Sequence, residues 1–240
     1  MNLINEDCLT GIKAIQDNSV DLVFCDLPYG CTNIKWDEKL DLNKLATELW
    51  RVAKDETPLV FTTTMKFAME IMKAIGEKWF RYELIWEKPR TSNHFNAGRQ
   101  PLKMHEFILV FYKKQPKIYG EKIKQYHKRI AKKTTRKTNL DSTVYGNKKI
   151  LKHQVHHEPR LPKTIVKFYE TPTKRINKTQ KPVELVEWFL KYYTNEGGLV
   201  LDPTFGSGTT AIACQNLKRD FIGFEKDEVQ YKQALERLEV

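Results

Sequence analysis

Short apolar runs alternate with stretches of helical spacing along most of the chain. Leu22, Val23 and Phe24 lie in one such run, which breaks into a polar loop as a buried parallel strand does. The pattern predicts seven strands, at residues 3–5, 20–25, 58–63, 82–86, 107–112, 198–202 and 220–225. It predicts helices at residues 9–17, 41–54, 65–76, 182–193, 209–217 and 227–239. This alternation predicts an α/β fold with a mostly parallel sheet that is covered on both faces.

The segment at residues 113–178 interrupts this alternation, because its apolar periodicity is weak. It contains 20 Lys and Arg but only 4 Asp and Glu, and it therefore holds the entire basic excess of a chain whose net charge is +11. A solvated charge run has a similar composition, but the interleaved tyrosines favour a polyanion-binding surface. We interpret the segment as an insertion outside the core sheet. Residues 1–112 and 179–240 are then predicted to be the two halves of one domain.

Several classes of protein are disfavoured by composition. No run of about 18 apolar residues occurs, so no membrane span is predicted, and the first residues do not resemble a signal peptide. None of the four cysteines forms a CxxC pair, which favours a reduced, cytoplasmic protein. His153, His156 and His157 cluster without a cysteine nearby, so surface histidines are the simpler interpretation and a zinc site is the alternative. No metal site is predicted.

A glycine-rich loop follows the predicted strand at residues 198–202. Glycine lacks the Cβ atom that would keep a ligand away from the backbone, and Glu225 at the end of the next strand offers acceptors for ribose hydroxyls. These features predict a nucleoside site, with a ligand-free turn or a dinucleotide site as alternatives. Only 15 residues follow Glu225, too few for the second half of a dinucleotide fold. Asp202 at the strand end would also repel a pyrophosphate and favour a cationic ligand such as S-adenosylmethionine.

A second polar loop ends the predicted strand at residues 20–25. It has the sequence Asp26-Leu27-Pro28-Tyr29. An acid at the carboxyl end of a buried strand must be hydrogen-bonded or desolvated, which the fold alone does not require. Asp26 and a backbone carbonyl could hold the two N–H bonds of an exocyclic amine and stabilise the charge that develops on its nitrogen. Tyr29 offers a face on which a flipped base could stack. A proline-containing turn without chemistry is the alternative.

Together the two loops resemble those of the DNA amino-methyltransferases, which make N6-methyladenine or N4-methylcytosine. The catalytic loop comes first, the basic segment lies in the middle and the cofactor loop comes last, which resembles the β-type order of this family. The resemblance implies a Rossmann-like, S-adenosylmethionine-dependent methyltransferase fold with a circularly permuted, seven-stranded sheet. It also implies double-stranded DNA as substrate, with residues 113–178 as the target-recognition region. A homodimer is expected by resemblance only, and a cognate restriction endonuclease is left open.

The resemblance also implies roles for individual residues. The catalytic residues would be Asp26, Leu27, Pro28 and Tyr29. The cofactor-binding residues would be Asp7, Cys8, Asp26, Lys181, Asp202, Thr204, Phe205, Gly206, Ser207, Gly208, Thr209, Glu225 and Lys226. Within these sets, Glu225 would bind the ribose, and Lys181 and Thr209 the methionine end of the cofactor.

One position departs from the family pattern, because Leu27 stands where proline is usual. Leucine keeps the carbonyl that would accept the amine but should loosen the loop. The first-position Asp26 favours adenine, with N4-cytosine as the alternative. Methylation of RNA or of a protein amide, and DNA binding without catalysis, are the remaining hypotheses. The permuted order further predicts that the strands ending at Asp202 and Asp26 are neighbours and that the first strand follows the C-terminal helix in the sheet.

Overall fold

The structure is a computed structural model that describes residues 1–29, 39–92, 94–119, 162–168 and 180–239. Eight strands form one sheet in this part of the chain. They are β1 (Asn2–Ile4), β2 (Leu22–Cys25), β3 (Leu59–Thr63), β4 (Phe80–Ser92), β5 (Lys103–Phe111), β6 (Ile165–Lys167), β7 (Leu199–Asp202) and β8 (Asp220–Phe224). The α-helices of the same residues are α1 (Cys8–Gly11), α2 (Leu42–Val52), α3 (Met65–Ile75), α4 (Val183–Tyr193), α5 (Thr209–Leu217) and α6 (Glu228–Leu238).

The strand order is β1-β8-β7-β2-β3-β5-β4-β6. Strand β5 is antiparallel to both of its neighbours, and every other pair is parallel. The predicted α/β fold is confirmed. Strand β7 pairs with β2, and β1 pairs with β8, as the permuted order predicts.

Both faces of the sheet are covered, as the near-continuous apolar strands predict. Successive side chains of β2 point to opposite faces. Leu22 and Phe24 pack in the core layer that includes α4, α5 and α6, whereas Val23 and Cys25 pack in the layer of α1, α2 and α3. All four side chains are buried, so the central strand is enclosed on both sides.

Several features differ from the sequence expectations, and strands β4 and β5 are also longer than predicted. The sheet has eight strands and not seven, because Ile165–Lys167 pairs in parallel with β4. The basic segment was expected to lie outside the core sheet, and for these three residues that expectation is wrong. The predicted first helix is also shorter, since α1 passes into a 3-10 turn at Ile12–Ala14.

Other expectations fall outside the described residues. Residues 120–161 and 169–178 of the basic segment belong to this group, and so do the three clustered histidines.

Cys8, Cys25 and Cys214 are buried free thiols. In the part of the chain that the structure describes, no helix has the length and apolar character to cross a membrane, and no group of His, Cys, Asp and Glu is arranged to hold a metal ion.

Candidate active site

The parallel strands bring the two predicted loops to one edge of the sheet, because the carboxyl ends of parallel strands lie together. Cys25 of β2 pairs with Phe61 of β3, so the next residue along, Asp26, lies beside Thr62. On the other side of β2, the register with β7 places Thr204 near Asp26, and the Thr204 hydroxyl donates to the Asp26 carbonyl at 3.2 Å. The two predicted loops are thus in direct contact.

A cavity of about 190 Å³ lies at this edge. All four predicted catalytic residues line it. The predicted cofactor residues that line it are Asp7, Cys8, Asp26, Lys181, Asp202, Thr204, Phe205, Gly206, Ser207, Thr209, Glu225 and Lys226. Gly208 is not among the lining residues. It caps α5 with φ +76°, and a Cβ there would lie 3.2 Å from the Cβ of Ala234, so its structural role is to bring α5 close to α6.

The Asp26 carboxylate accepts hydrogen bonds from three side chains. Thr62 donates at 2.5 Å and Tyr29 at 3.3 Å, both to Oδ1. The Lys181 ammonium lies 2.8 Å from the same carboxylate. The Asp26 side chain remains 30% exposed, so an incoming group can reach it from the cavity.

Lys181 is almost completely buried, with 8% of its side chain exposed. Burial by itself would lower its pKa, but the neighbouring Asp26, with Tyr29 and Glu106, outweighs burial and raises the pKa above its ordinary value. The lysine is therefore a fixed positive charge at the site. Its ammonium contacts Asp26 directly, a contact that the sequence resemblance did not suggest.

Leu27 anchors the loop of residues 26–29 by burial. Its side chain is 3% exposed and packs in the same apolar cluster as Phe67. The Tyr29 ring also packs on Phe67, with ring centroids 5.4 Å apart. Hydrophobic anchoring thus restrains a loop in which the usual proline ring is missing at the second position.

Asp202 is a buried acid at the end of β7. Its carboxylate accepts from the Thr204 amide at 3.0 Å and from the Thr210 hydroxyl at 2.5 Å. Burial raises its pKa to about 7, against the partly compensating effect of these hydrogen bonds. A positively charged ligand in the cavity would stabilise the ionised form.

Glu225 closes the glycine loop against the end of β8. Its carboxylate accepts from the amides of Gly206 at 3.1 Å and Asp227 at 2.8 Å. Burial raises its pKa despite these bonds. After the neighbouring strand β1, Asp7 caps α1 by accepting from the Leu9 amide at 2.8 Å. Backbone bonds therefore fix the orientation of both acids.

Three residues near the reaction edge were not assigned a role from the sequence. Thr62 is the next-to-last residue of β3, and a buried threonine near a strand's carboxyl end is the signal that could have identified it. Gln180 lines the cavity next to Lys181. Glu106 lies on β5, and only the pairing of that strand with β3 brings it to this edge.

The chain matches the family model described as DNA methylase over residues 20–236. It is 28% identical to the type II methyltransferase M.HpaI of Haemophilus parainfluenzae, over 99% of this chain and 74% of that protein. The solved structure of the M1.HpyAVI–SAM complex is 24% identical and covers 98% of each chain with a TM-score of 0.65. The PvuII DNA methyltransferase, described as cytosine-N4-specific, is 14% identical and covers 98% of this chain and 85% of its own with a TM-score of 0.70.

The chain belongs to the DNA methylase family that includes the N6 and N4 amino-methyltransferases. The family predicted from the two loops is confirmed. The matches include a cytosine-N4-specific enzyme, so membership of the family leaves the methylated base open.

Proposed function

We propose that this chain transfers a methyl group from S-adenosylmethionine to the N6 amine of an adenine in double-stranded DNA. S-adenosylmethionine is the cofactor predicted from the sequence, and it agrees with the family and with the M1.HpyAVI complex. When bound, it supplies a methyl group on a positively charged sulfur. The observation on which the proposal depends is the position of Asp26, whose carboxylate borders the cavity next to the cofactor loop.

The residues around the cavity fit such a cofactor. Asp202 is a buried acid whose pKa burial raises to about 7, so a cation nearby would relieve the cost of its ionisation. Glu225 is held by two backbone amides, and its remaining lone pairs can accept from ribose hydroxyls. Gly206 has φ +50° and leaves the backbone accessible from the cavity.

Asp26 would hold the target amine. Its carboxylate accepts one N–H, and the Leu27 carbonyl accepts the other, which directs the nitrogen lone pair away from both acceptors. As the amine takes up the methyl group, positive charge develops on nitrogen, and the carboxylate stabilises it. Thr62 fixes the orientation of the carboxylate through its 2.5 Å hydrogen bond. Tyr29 would stack on the base once it is out of the helix.

The choice of adenine depends on the acid at position 26 and on the permuted order of the loops, which resemble those of adenine enzymes. N4-cytosine is the second candidate, since a cytosine-N4-specific enzyme shares the fold. Both reactions need the same amine geometry. The basic segment would bind the DNA backbone and read the site, and dimerisation and a partner nuclease stay predictions.

Expression in a bacterium without DNA methylation, followed by mass analysis of nucleosides from its DNA, tests the proposal. N6-methyladenine is the expected product, and N4-methylcytosine would decide for the second candidate. Asp26→Asn should abolish the product while DNA binding persists, because the variant keeps the size of the side chain and loses its charge. Binding of DNA by the wild-type chain with no methylated base of either kind would refute the proposal and favour a non-catalytic DNA-binding protein.

A further inference from the structure

Four charged side chains alternate in sign next to the proposed amine site. They are Asp26, Lys181, Glu106 and Lys88. The Lys181 ammonium lies 2.8 Å from the Asp26 carboxylate and 3.5 Å from Glu106 Oε2. Lys88 donates to the other oxygen of Glu106, Oε1, at 3.1 Å. Lys181 therefore lies between two acids, within hydrogen-bond distance of Asp26 and slightly beyond a good hydrogen-bond distance from Glu106.

Glu106 Oε2 is a buried atom with no hydrogen-bond donor among the residues that the structure describes. Burial would raise the pKa of this carboxyl, but Lys181 and Lys88 outweigh it and hold the pKa below its ordinary value. The group is thus an ionised carboxylate with one unsatisfied oxygen. Such an oxygen is costly to bury unless another state of the protein satisfies it.

The proposed reaction creates a conflict at Asp26 that Glu106 can resolve. With Lys181 in contact, part of the Asp26 negative charge is neutralised, and one lone pair that the amine would use is taken. The Lys181 ammonium, which lies 2.8 Å from the Asp26 carboxylate, also opposes the positive charge that develops on the amine nitrogen. The amine and the ammonium therefore compete for the same carboxylate.

We propose that Glu106 is a positioning residue that accepts the Lys181 ammonium when the target amine binds to Asp26. This inference rests on the proposed function. A displacement of roughly 0.7 Å brings the ammonium to hydrogen-bond distance from Oε2. The flexible lysine stem permits this movement, and the charge stays paired throughout. Asp26 then loses its close contact with the ammonium and can hold the amine, and the unsatisfied oxygen of Glu106 gains its donor.

Glu106→Gln tests the inference, because it removes the charge and keeps the shape. Lys181 should then remain on Asp26. We expect the single-turnover methylation rate at saturating cofactor and DNA to fall roughly 10- to 100-fold, with DNA and cofactor affinities within about threefold of wild type. Glu87→Gln is the matched control. Glu87 is also an ion-paired acid of the β4–β5 hairpin, but its partner is Lys167 at 2.7 Å, on the exposed side, and its rate should not change.

The double variant Glu106→Gln/Lys181→Gln distinguishes positioning from a structural role. If Glu106 acts by drawing Lys181 away from Asp26, removing the lysine as well should give a rate at least about fivefold above that of Glu106→Gln alone. If Glu106 merely supports the fold or supports Lys181, the double variant will be no faster than the single one, and the inference is overturned. A wild-type rate in Glu106→Gln would overturn it as well.

Loss of stability in Glu106→Gln is checked by its thermal unfolding midpoint. Should that midpoint fall, Glu106→Asp keeps the charge but withdraws the carboxylate by one methylene. We expect a smaller fall in rate that Lys181→Gln again relieves, and an unrelieved fall counts against the inference. Methylation by the wild-type chain tests the proposed function separately, because the inference concerns only the ratios between variants.

Discussion

Asp202 is predicted to oppose folding of the ligand-free chain at neutral pH. Its carboxyl is buried at the end of β7, and burial raises its pKa from 3.8 to about 7. Ionising it inside the folded protein is therefore more costly than ionising it in the unfolded chain. Asp202→Asn removes this cost and keeps an acceptor for the Thr204 amide.

The size of the effect depends on pH. The folded state binds the proton more tightly, so its stability decreases as pH rises from about 3.8 and levels off above about 7. The raised pKa of Asp202 corresponds to a destabilisation of the folded state by about 4 kcal/mol at pH 8 and by less than about 2 kcal/mol at pH 5. These values are upper limits, since the Asn variant also weakens the 2.5 Å bond from Thr210. The difference in free energy of unfolding between Asp202→Asn and wild type should change by about 1–3 kcal/mol between the two pH values. This change does not include the weakened bond from Thr210.

Urea unfolding of the ligand-free protein at pH 5 and pH 8 measures this change. The stability of Asp202→Asn relative to wild type should increase toward pH 8. Asp220→Asn, at an exposed position at the start of β8, is the matched control and should give no such trend. A difference between Asp202→Asn and wild type that is the same at both pH values would refute the reasoning.

The same acid should favour a cationic ligand. Binding of S-adenosylmethionine should stabilise the ionised carboxylate, release a proton near pH 7 and tighten from pH 6 to pH 8. Calorimetry in two buffers with different ionisation heats detects the proton. Asp202→Asn should bind at least about 10-fold more weakly and release no proton, so the variant gains stability and loses ligand affinity. Proton release by the variant equal to that of wild type would assign it to another group.

Substitutions at Gly208, Leu27 and Tyr29 test the two loops. Gly208→Ala should lower the free energy of unfolding, measured in urea, by about 1–3 kcal/mol, because φ is +76° and the new Cβ would lie 3.2 Å from Ala234. Gly98→Ala is the control. It has open space around it and should change the free energy of unfolding by less than about 0.5 kcal/mol. Leu27→Ala should cost about 2–5 kcal/mol and slow methylation, because the buried side chain anchors the catalytic loop; an unchanged rate in folded protein would contradict that anchoring. Tyr29→Phe keeps the ring and should slow methylation less than about threefold, while Tyr29→Ala should reduce kcat/KM roughly 10- to 100-fold through lost stacking, and equal effects of both would point to the hydroxyl instead.

The sequence predicted the sheet and both loops because each depends on local patterns. Buried strands appear as apolar runs, and Asp26 and Asp202 follow such runs directly. Strand β6 was not predicted because it has three residues with one buried side chain, too few to show an alternation of apolar and polar positions. Its place in the sheet is set by pairing with β4, which is far away in sequence.

The charges around Asp26 were beyond the reach of sequence reasoning for a similar reason. Thr62, Lys181 and Glu106 reach the site from three separate parts of the chain, and no spacing along the chain predicts their distances. The resemblance placed Lys181 near the cofactor, and that role stays a prediction, whereas its ion pair with Asp26 emerged only from the folded arrangement. The anchoring of Leu27 likewise required knowledge of which side chains surround it.

The pairing of β1 with β8 and of β2 with β7 has a consequence for protein synthesis. Strands β1 and β2 leave the ribosome long before their partners β8 and β7. Asn5, for example, donates a hydrogen bond to the Glu225 carbonyl across 220 positions of sequence. Contacts of this separation form late and slowly. During translation β2 and the loop that follows it therefore lack the neighbour that completes the cavity. A nascent or truncated chain would present an edge strand where the finished protein has a paired one, so the ability to modify DNA appears only when the last strands have been added.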